Sequence, residues 1–130
     1  MEQFTFDILR GNTRGDRWDL LCLAKAKGGL PVVRPATLQA IYACGGMIAV
    51  ARDALAKGRI LPEDPPIVAS VILLPMPSFA GMIGVVTDFL VAPGYAEHKL
   101  ERQLLLHLKE RAEKLELTQL RYCDDRTLAV

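Results

Sequence analysis

Bulk charge is what this chain most lacks. Its 16 Lys and Arg stand against 15 Asp and Glu, a formal balance of +1 over 130 residues. Such a surface has no general attraction to nucleic acid or to an acidic membrane. Long apolar runs are missing as well, since none approaches the roughly 20 residues that a membrane-spanning helix needs. The opening MEQFTFDILR carries acids early and lacks the basic-then-apolar layout of a secretory leader. Cysteine is sparse and odd in number: Cys22, Cys44 and Cys123, with no CxxC spacing. That argues against a disulfide or zinc framework and predicts reduced thiols in a cytoplasmic protein, each packed as a small core hydrophobe. No metal is expected. No repeat, low-complexity stretch or linker divides the sequence. With 51% hydrophobic residues it suits one compact domain over residues 1–130.

Hydropathy patterning then divides the chain into elements. Phe4, Phe6 and Ile8 alternate with Thr5 and Asp7, the period of a half-buried strand. Gly11 to Gly15 reads as a loop, and Asp16 as the cap of a helix over Arg17 to Lys27, with Trp18, Leu21 and Cys22 at helical spacing. Gly28-Gly29 ends that helix. Leu30 to Val33 reads as a short strand whose Pro31 confines it to a strand start or a sheet edge. Thr37 is placed to cap a helix over Leu38 to Lys57, with Gly58 at its end and Gly45-Gly46 as an internal break between two shorter helices. Trp18, Tyr42 and Met47 are expected in the core. After a loop holding Pro62, Pro65 and Pro66 comes an apolar strand, Ile67 to Leu74, then a turn over Met76 to Ala80. A strand over Gly81 to Ala92, a helix from about Ala96 to Leu115 and a strand over Leu117 to Cys123 complete the order. Two adjacent strands between flanking helices predict an α/β or α+β sheet with covered faces.

The stretch Val85 to Leu105, VVTDFLVAPGYAEHKLERQLL, says most about function. It delivers a strand through a Pro-Gly turn directly into a helix N-terminus, where N–H groups and the helix dipole favour an anion. The helix carries an apolar stripe of Leu100, Leu104, Leu108, Ala112 and Leu115, widened by Leu105, with Glu110 and Lys114 spaced as a pair on the other face. His107 falls on the exposed face near Arg111.

Two strings in this chain resemble the GNAT acetyltransferase superfamily. Val33-Arg34-Pro35-Ala36-Thr37 is similar to the Arg-Pro-Ala-Thr strand end that opens many members. Asp88-Phe89-Leu90-Val91-Ala92-Pro93-Gly94-Tyr95 is similar to the family's central strand and turn. The resemblance covers residues 30–123, leaving 1–29 as an added strand-helix unit unless Phe4 to Lys27 displaces Leu30 to Val33 as the true first strand. It implies a mixed, mostly antiparallel sheet flanked by helices. It further implies that the central strand, about Val85 to Val91, splays from the strand at Leu117 to Cys123. Acyl-CoA would enter that gap, its pantetheine amides pairing with the main chain of Phe89, Leu90 and Val91. The diphosphate would meet the helix N-terminus near His98, Lys99 and Arg102. Asp88, the only acid on the central strand, is the implied general base, and an N–H near Val91 would polarise the thioester carbonyl.

The sequence departs from the family in two places. The glycine-rich phosphate loop aligns its Arg/Gln on Ala96, its first glycine on Lys99 and its closing small residue on Glu101. A Cβ there holds phosphate oxygens off the backbone, and Glu101 and Glu97 add repulsion of about 1 kcal/mol per close pair in water. Past Cys123, where the family continues with a helix and two strands, only Asp124 to Val130 follow, and Tyr122 lies on the strand rather than on that helix. These departures favour a GNAT-like domain whose acetyl-CoA-dependent activity is weak or lost and which serves as a binding or assembly module. The alternative is an active compact N-acetyltransferase acting on an amine. The strand at Leu117 to Cys123 would be left as an open edge, inviting a homodimer or another protein partner.

Overall fold

The computed structural model describes residues 3–9, 14–26, 35–56 and 65–123. The strand expected at Leu30 to Val33, Val33-Arg34 of the first family-like string, the helix ends at Gly28-Gly29 and Gly58, the loop at Pro62 and the residues after Cys123 lie outside them. In chain order the elements are β1 (Phe4–Leu9), α1 (Arg14–Ala26), α2 (Pro35–Ala43), β2 (Met47–Asp53), β3 (Ile67–Ser78), β4 (Gly81–Val91), α3 (Leu100–Lys114) and β5 (Leu120–Tyr122). They form one five-stranded sheet in the order β1–β2–β3–β4–β5. The first three pairings are antiparallel and the last, β4 with β5, is parallel. The mixed, mostly antiparallel sheet with flanking helices is the architecture expected from the resemblance.

The largest correction concerns residues 44–57, which are not helical. Gly45 adopts φ +81°, Gly46 N–H donates to Ile41 O at 2.8 Å and Gly45 N–H to Tyr42 O at 3.0 Å. This 6→1 and 5→2 pair is a Schellman C-cap, so the glycines end α2 rather than interrupt a longer helix. A Cβ on Gly46 would stand 2.7 Å from Ile41 O. The run Met47-Ile48-Ala49-Val50-Ala51 then forms β2, buried from Ile48 to Asp53 because both faces of the sheet are covered. A continuous apolar run fits helical and extended spacing alike, which is why periodicity alone misreads it.

Smaller corrections follow from the same packing. β3 continues to Ser78, so the hairpin turn is only Phe79-Ala80. Pro75 and Pro77 are tolerated because β2 pairs with β3 only as far as Leu73, leaving no ladder for their missing N–H groups to break. β5 is confined to Leu120–Tyr122 because Glu116, at φ +60°, and Leu117, whose N–H donates to Ala112 O, cap α3. α1 begins at Arg14 and turns Leu20 and Leu23 inward, leaving Trp18 63% exposed rather than in the core. All three cysteines are exposed, not core filler. Leu115 is also exposed, whereas Leu100, Leu104, Leu108 and Ala112 are buried as their spacing predicts. His107 lies on the exposed face of α3, its ring stacked on Phe6 at 5.1 Å.

Two hydrophobic layers sandwich the sheet. Leu100, Leu104 and Leu108 of α3 pack on Ala49, Ala51, Ala69, Val71, Leu73 and Val86. On the opposite face Leu20, Leu23 and Leu38 of α1 and α2 pack on Ile48, Val50 and Ile67. Asp16, read from sequence as a cap, instead lies within the first turn of α1 and forms a buried ion pair with Arg52 of β2. The two Nη atoms meet the two carboxylate oxygens at 2.9 and 3.2 Å, and Nη1 also donates to Pro65 O.

Candidate functional site

β4 pairs with β5 only at Gly84, Val85 and Val86, while on its other side it stays paired with β3 out to Val91. Among the described residues, nothing pairs with residues 87–91 on the β5 side. Gly84 permits the close approach below this point: a Cβ there would stand 2.6 Å from a methyl of Leu120. Beyond Val86, β4 carries a bulge. Ser70 pairs with Leu90 and Ile72 with Thr87, so Asp88 and Phe89 together oppose Val71. Asp88 adopts φ +54°. An inserted residue of this kind bends its strand and increases the local twist. The bulge falls just beyond the last residue of β4 that pairs with β5 among the described residues.

Each expected site residue can now be located. Asp88 is exposed at the bulge. Phe89 and Val91 are half-buried toward α3, whereas Leu90 packs toward α1 and α2. The chain then turns through Pro93-Gly94 into a 3₁₀ turn over Ala96–His98 and the start of α3. Lys99 stands at the α3 N-cap with φ +53° and no side-chain cap hydrogen bond. It aligns with the first glycine of the family loop, and its backbone adopts the left-handed conformation that glycine favours. His98 is half-buried, with its ring 5.0 Å from that of Phe4. Arg102 is exposed on the first turn of α3.

A cleft of about 460 Å³ opens between α3 and β5, beside the pair Val86 and Tyr122. Its floor is Val86, Leu105, Leu106 and Leu120, and Glu101, Arg102, Lys109, Arg121 and Tyr122 complete the lining. Of the residues singled out from sequence as cofactor contacts, Arg102 alone lines it. Tyr122 OH donates to Glu101 Oε1 at a long 3.4 Å, linking β5 to α3 across the mouth. Burial, with Glu101 nearby, raises the Tyr122 phenol above its usual pKa. Leu106 and Lys109 were legible only as the outer side of an amphipathic helix. Their role as cleft walls depends on where β5 stops.

A second polar group fixes the turn before α3. Tyr95 OH donates to Asp53 Oδ2 at 2.6 Å, joining the β4–α3 connection to the end of β2. Asp53 is 4% exposed and also accepts from Leu55 N–H at 3.0 Å and from Gln3 Nε2 at 3.4 Å. The Tyr95 hydroxyl foremost, against the opposing effect of burial, holds the Asp53 carboxyl below its ordinary value of 3.8. The same carboxylate raises Tyr95. Tyr95→Phe removes one charge-assisted donor from a buried carboxylate and is expected to lower stability by about 1–3 kcal/mol at neutral pH. Because the folded-state pKa of Asp53 is depressed, its stabilisation is present above the unfolded value and is lost as pH falls through the folded one. The urea-melt difference between wild type and variant should therefore begin to shrink as pH falls below about 4; a constant difference down to pH 2 would remove Asp53 from the explanation.

The described residues include no cluster of three or more His, Cys, Asp or Glu that could hold a metal ion, and no helix long and apolar enough to cross a membrane. No family model matches the sequence, and no curated protein matches it. Solved structures do match by shape. A Trypanosoma brucei acetyltransferase superposes with TM-score 0.69 at 20% identity, covering 95% of this chain and 84% of that one. A GNAT family acetyltransferase from Staphylococcus aureus gives 0.68 at 9% identity, covering 99% and 94%. An acetyltransferase from Clostridium acetobutylicum, solved with acetyl-CoA, gives 0.64 at 13% identity, covering 93% and 80%. The chain has the GNAT acetyltransferase fold. Identities this low carry the fold and leave activity to be argued from the site.

Proposed function

We propose that this protein binds acyl-CoA in the gap between β4 and β5 and transfers the acyl group to an amine. The observation that carries this reading is the run of β4 backbone from Thr87 to Val91 that, among the described residues, has no strand partner on the β5 side, beside a bulge at the exposed Asp88. Free main-chain donors and acceptors in an apolar gap are what the paired amides of pantetheine need. The uncapped N–H groups at the start of α3, with Lys99 and Arg102 beside them, suit the diphosphate. Bound acyl-CoA would supply an activated thioester carbonyl. Asp88, directly or through a water, would take the proton from the attacking amine, and an N–H near Val91 would stabilise the developing oxyanion.

A coupled assay that detects free thiol tests the assignment. Wild type should release CoA thiol from acetyl-CoA in the presence of an accepted amine. Asp88→Asn should bind acetyl-CoA normally and turn over at least 100-fold more slowly, the usual size of a general-base contribution. An unchanged rate would remove Asp88 from the mechanism.

One observation favours a second reading, a binding or assembly module with weak or lost transfer. Glu101 occupies the first turn of α3, where a carboxylate opposes a diphosphate, and β5 is an edge strand of the sheet among the described residues. A second copy or another protein would pair along that edge. A monomer by sedimentation at high protein concentration would count against edge pairing with itself.

A further inference from the structure

The hairpin joining β3 to β4 ends in an apolar tip that the core does not use. From Ile67 to Thr87 the chain carries no Asp, Glu, Lys, Arg or His. β2 pairs with β3 only as far as Leu73, so on that side the ribbon runs on alone through Leu74 to Ser78. At its end Phe79 is 115% exposed, and Met76 and Met82 on the two strands are 43% and 44% exposed. The turn is nonetheless ordered by bonds within the chain. Ala80 N–H donates to Ser78 Oγ at 3.1 Å, and the Ser78 hydroxyl donates to Gly81 O at 2.9 Å. Thr118 N–H donates to Met82 O at 2.9 Å, and the Thr118 hydroxyl lies 3.1 Å from that oxygen and 3.3 Å from Ala80 O. A turn in water has no need of such partners, whereas in an apolar medium every unpaired backbone group is costly.

We propose that this tip seats the protein on an electrically neutral lipid surface, with Phe79, Met76 and Met82 inserted at the boundary between headgroups and acyl chains. Area favours lipid over a protein partner. One fully exposed Phe, on the order of 200 Å², and two half-exposed Met fall short of the about 800 Å² per partner that a stable protein interface buries. Lipid insertion has no such threshold and scales with whatever apolar area is buried. Strand addition is refused as well, because the free edge of β3 carries Pro75 and Pro77, which have no N–H to offer. The tip is convex and uncharged, a shape that enters a fluid surface and brings no ionic group to desolvate. Met76 to Ser78 spans roughly 10 Å of ribbon, matching the depth of about 5–10 Å to which interfacial segments sink. None of this requires the bulk charge that the chain lacks. Along β4, Asp88 lies roughly 20 Å from Gly81, so a seated protein keeps the Asp88 end of the strand in solution. The inference stands independently of the acyl-CoA reading.

Flotation of the full chain with phosphatidylcholine vesicles in large excess tests this. Binding should be reversible and weaker than the about 10⁴ M⁻¹ of a single myristoyl chain. It should be unchanged by added phosphatidylserine or by high salt, because no charge takes part. Phe79→Ser should lower the partition about tenfold, since Phe79 carries most of the inserted area, while leaving the melting temperature unaltered. A fluorescence measurement covers the case in which that variant misfolds. Trp18, 63% exposed on α1, is the only tryptophan of the chain. In a Trp18→Phe background, Phe79→Trp should shift its emission to the blue when vesicles are added. Wild type that stays with the aqueous phase, a partition unchanged by Phe79→Ser in folded protein, or an unshifted emission would overturn the proposal. Binding that appears only with phosphatidylserine and is lost in salt would overturn it in favour of a charge-driven surface. Self-association abolished by Phe79→Ser, with no vesicle binding, would overturn it and mark the tip as a contact between copies.

Discussion

Asp16→Ala is expected to cost about 3–5 kcal/mol of stability, the usual penalty for stripping one partner from a buried ion pair. The side chains of Arg52 and Asp16 are 8% and 9% exposed, and their two contacts are parallel and short. Removing the carboxylate strands a guanidinium between α1 and β2, with Nη1 still donating to Pro65 O. Against a total of roughly 5–15 kcal/mol for a domain, that is a large fraction. At about 4 °C per kcal/mol for a chain of this size, the melting temperature should fall by roughly 12–20 °C. The joint replacement Asp16→Leu with Arg52→Met separates the stranded charge from mere loss of contact. Apolar residues of similar volume in place of a buried pair are often neutral or stabilising, so the double variant should recover most of the loss. Single variants within 1 kcal/mol of wild type in urea melts would show that the pair is not buried as described.

Acetyl-CoA in large excess should raise stability by about 2.7 kcal/mol at 100 times its dissociation constant, provided that it binds only the folded chain. The corresponding shift in melting temperature is roughly 10 °C. The gap between β4 and β5 requires folded β4, β5 and α3 together, so the unfolded chain offers no competing site. Glu101 works against the effect: a carboxylate about 4 Å from a phosphate oxygen costs on the order of 1 kcal/mol in water and more near a protein surface. Glu101→Gln should therefore increase the acetyl-CoA shift. The same change slightly lowers the stability of the free protein, because an acid in the first helical turn favours the helix by about 0.3–1 kcal/mol.

Much of the scaffold around the candidate site was legible from local patterning. The alternation in β1, the four-and-three stripe of α3 and the strand-turn-helix passage from Gly81 into α3 follow from spacing alone. The helix read over Leu38 to Lys57 failed because Met47 to Ala51 satisfies both periods, and because a Gly-Gly pair marks a helix end as readily as a break. The site was less legible for a different reason. Tyr95 with Asp53 and Arg52 with Asp16 are contacts across 42 and 36 residues, and neither partner announces the other in sequence. Lys99 was read as a departure from glycine, yet its backbone keeps the left-handed turn. The cleft walls, Leu106, Lys109 and Tyr122, became visible only once β5 was seen to stop three residues after it starts.

The central claim is that the free backbone of β4 above Val86 receives acyl-CoA. Amide hydrogen exchange of the full chain, with and without saturating acetyl-CoA, addresses it residue by residue. Added ligand should slow exchange at Thr87 to Val91 and at the first turn of α3, with little change in β1 and α1. Unaltered exchange across Thr87 to Val91 at millimolar acetyl-CoA would contradict the claim.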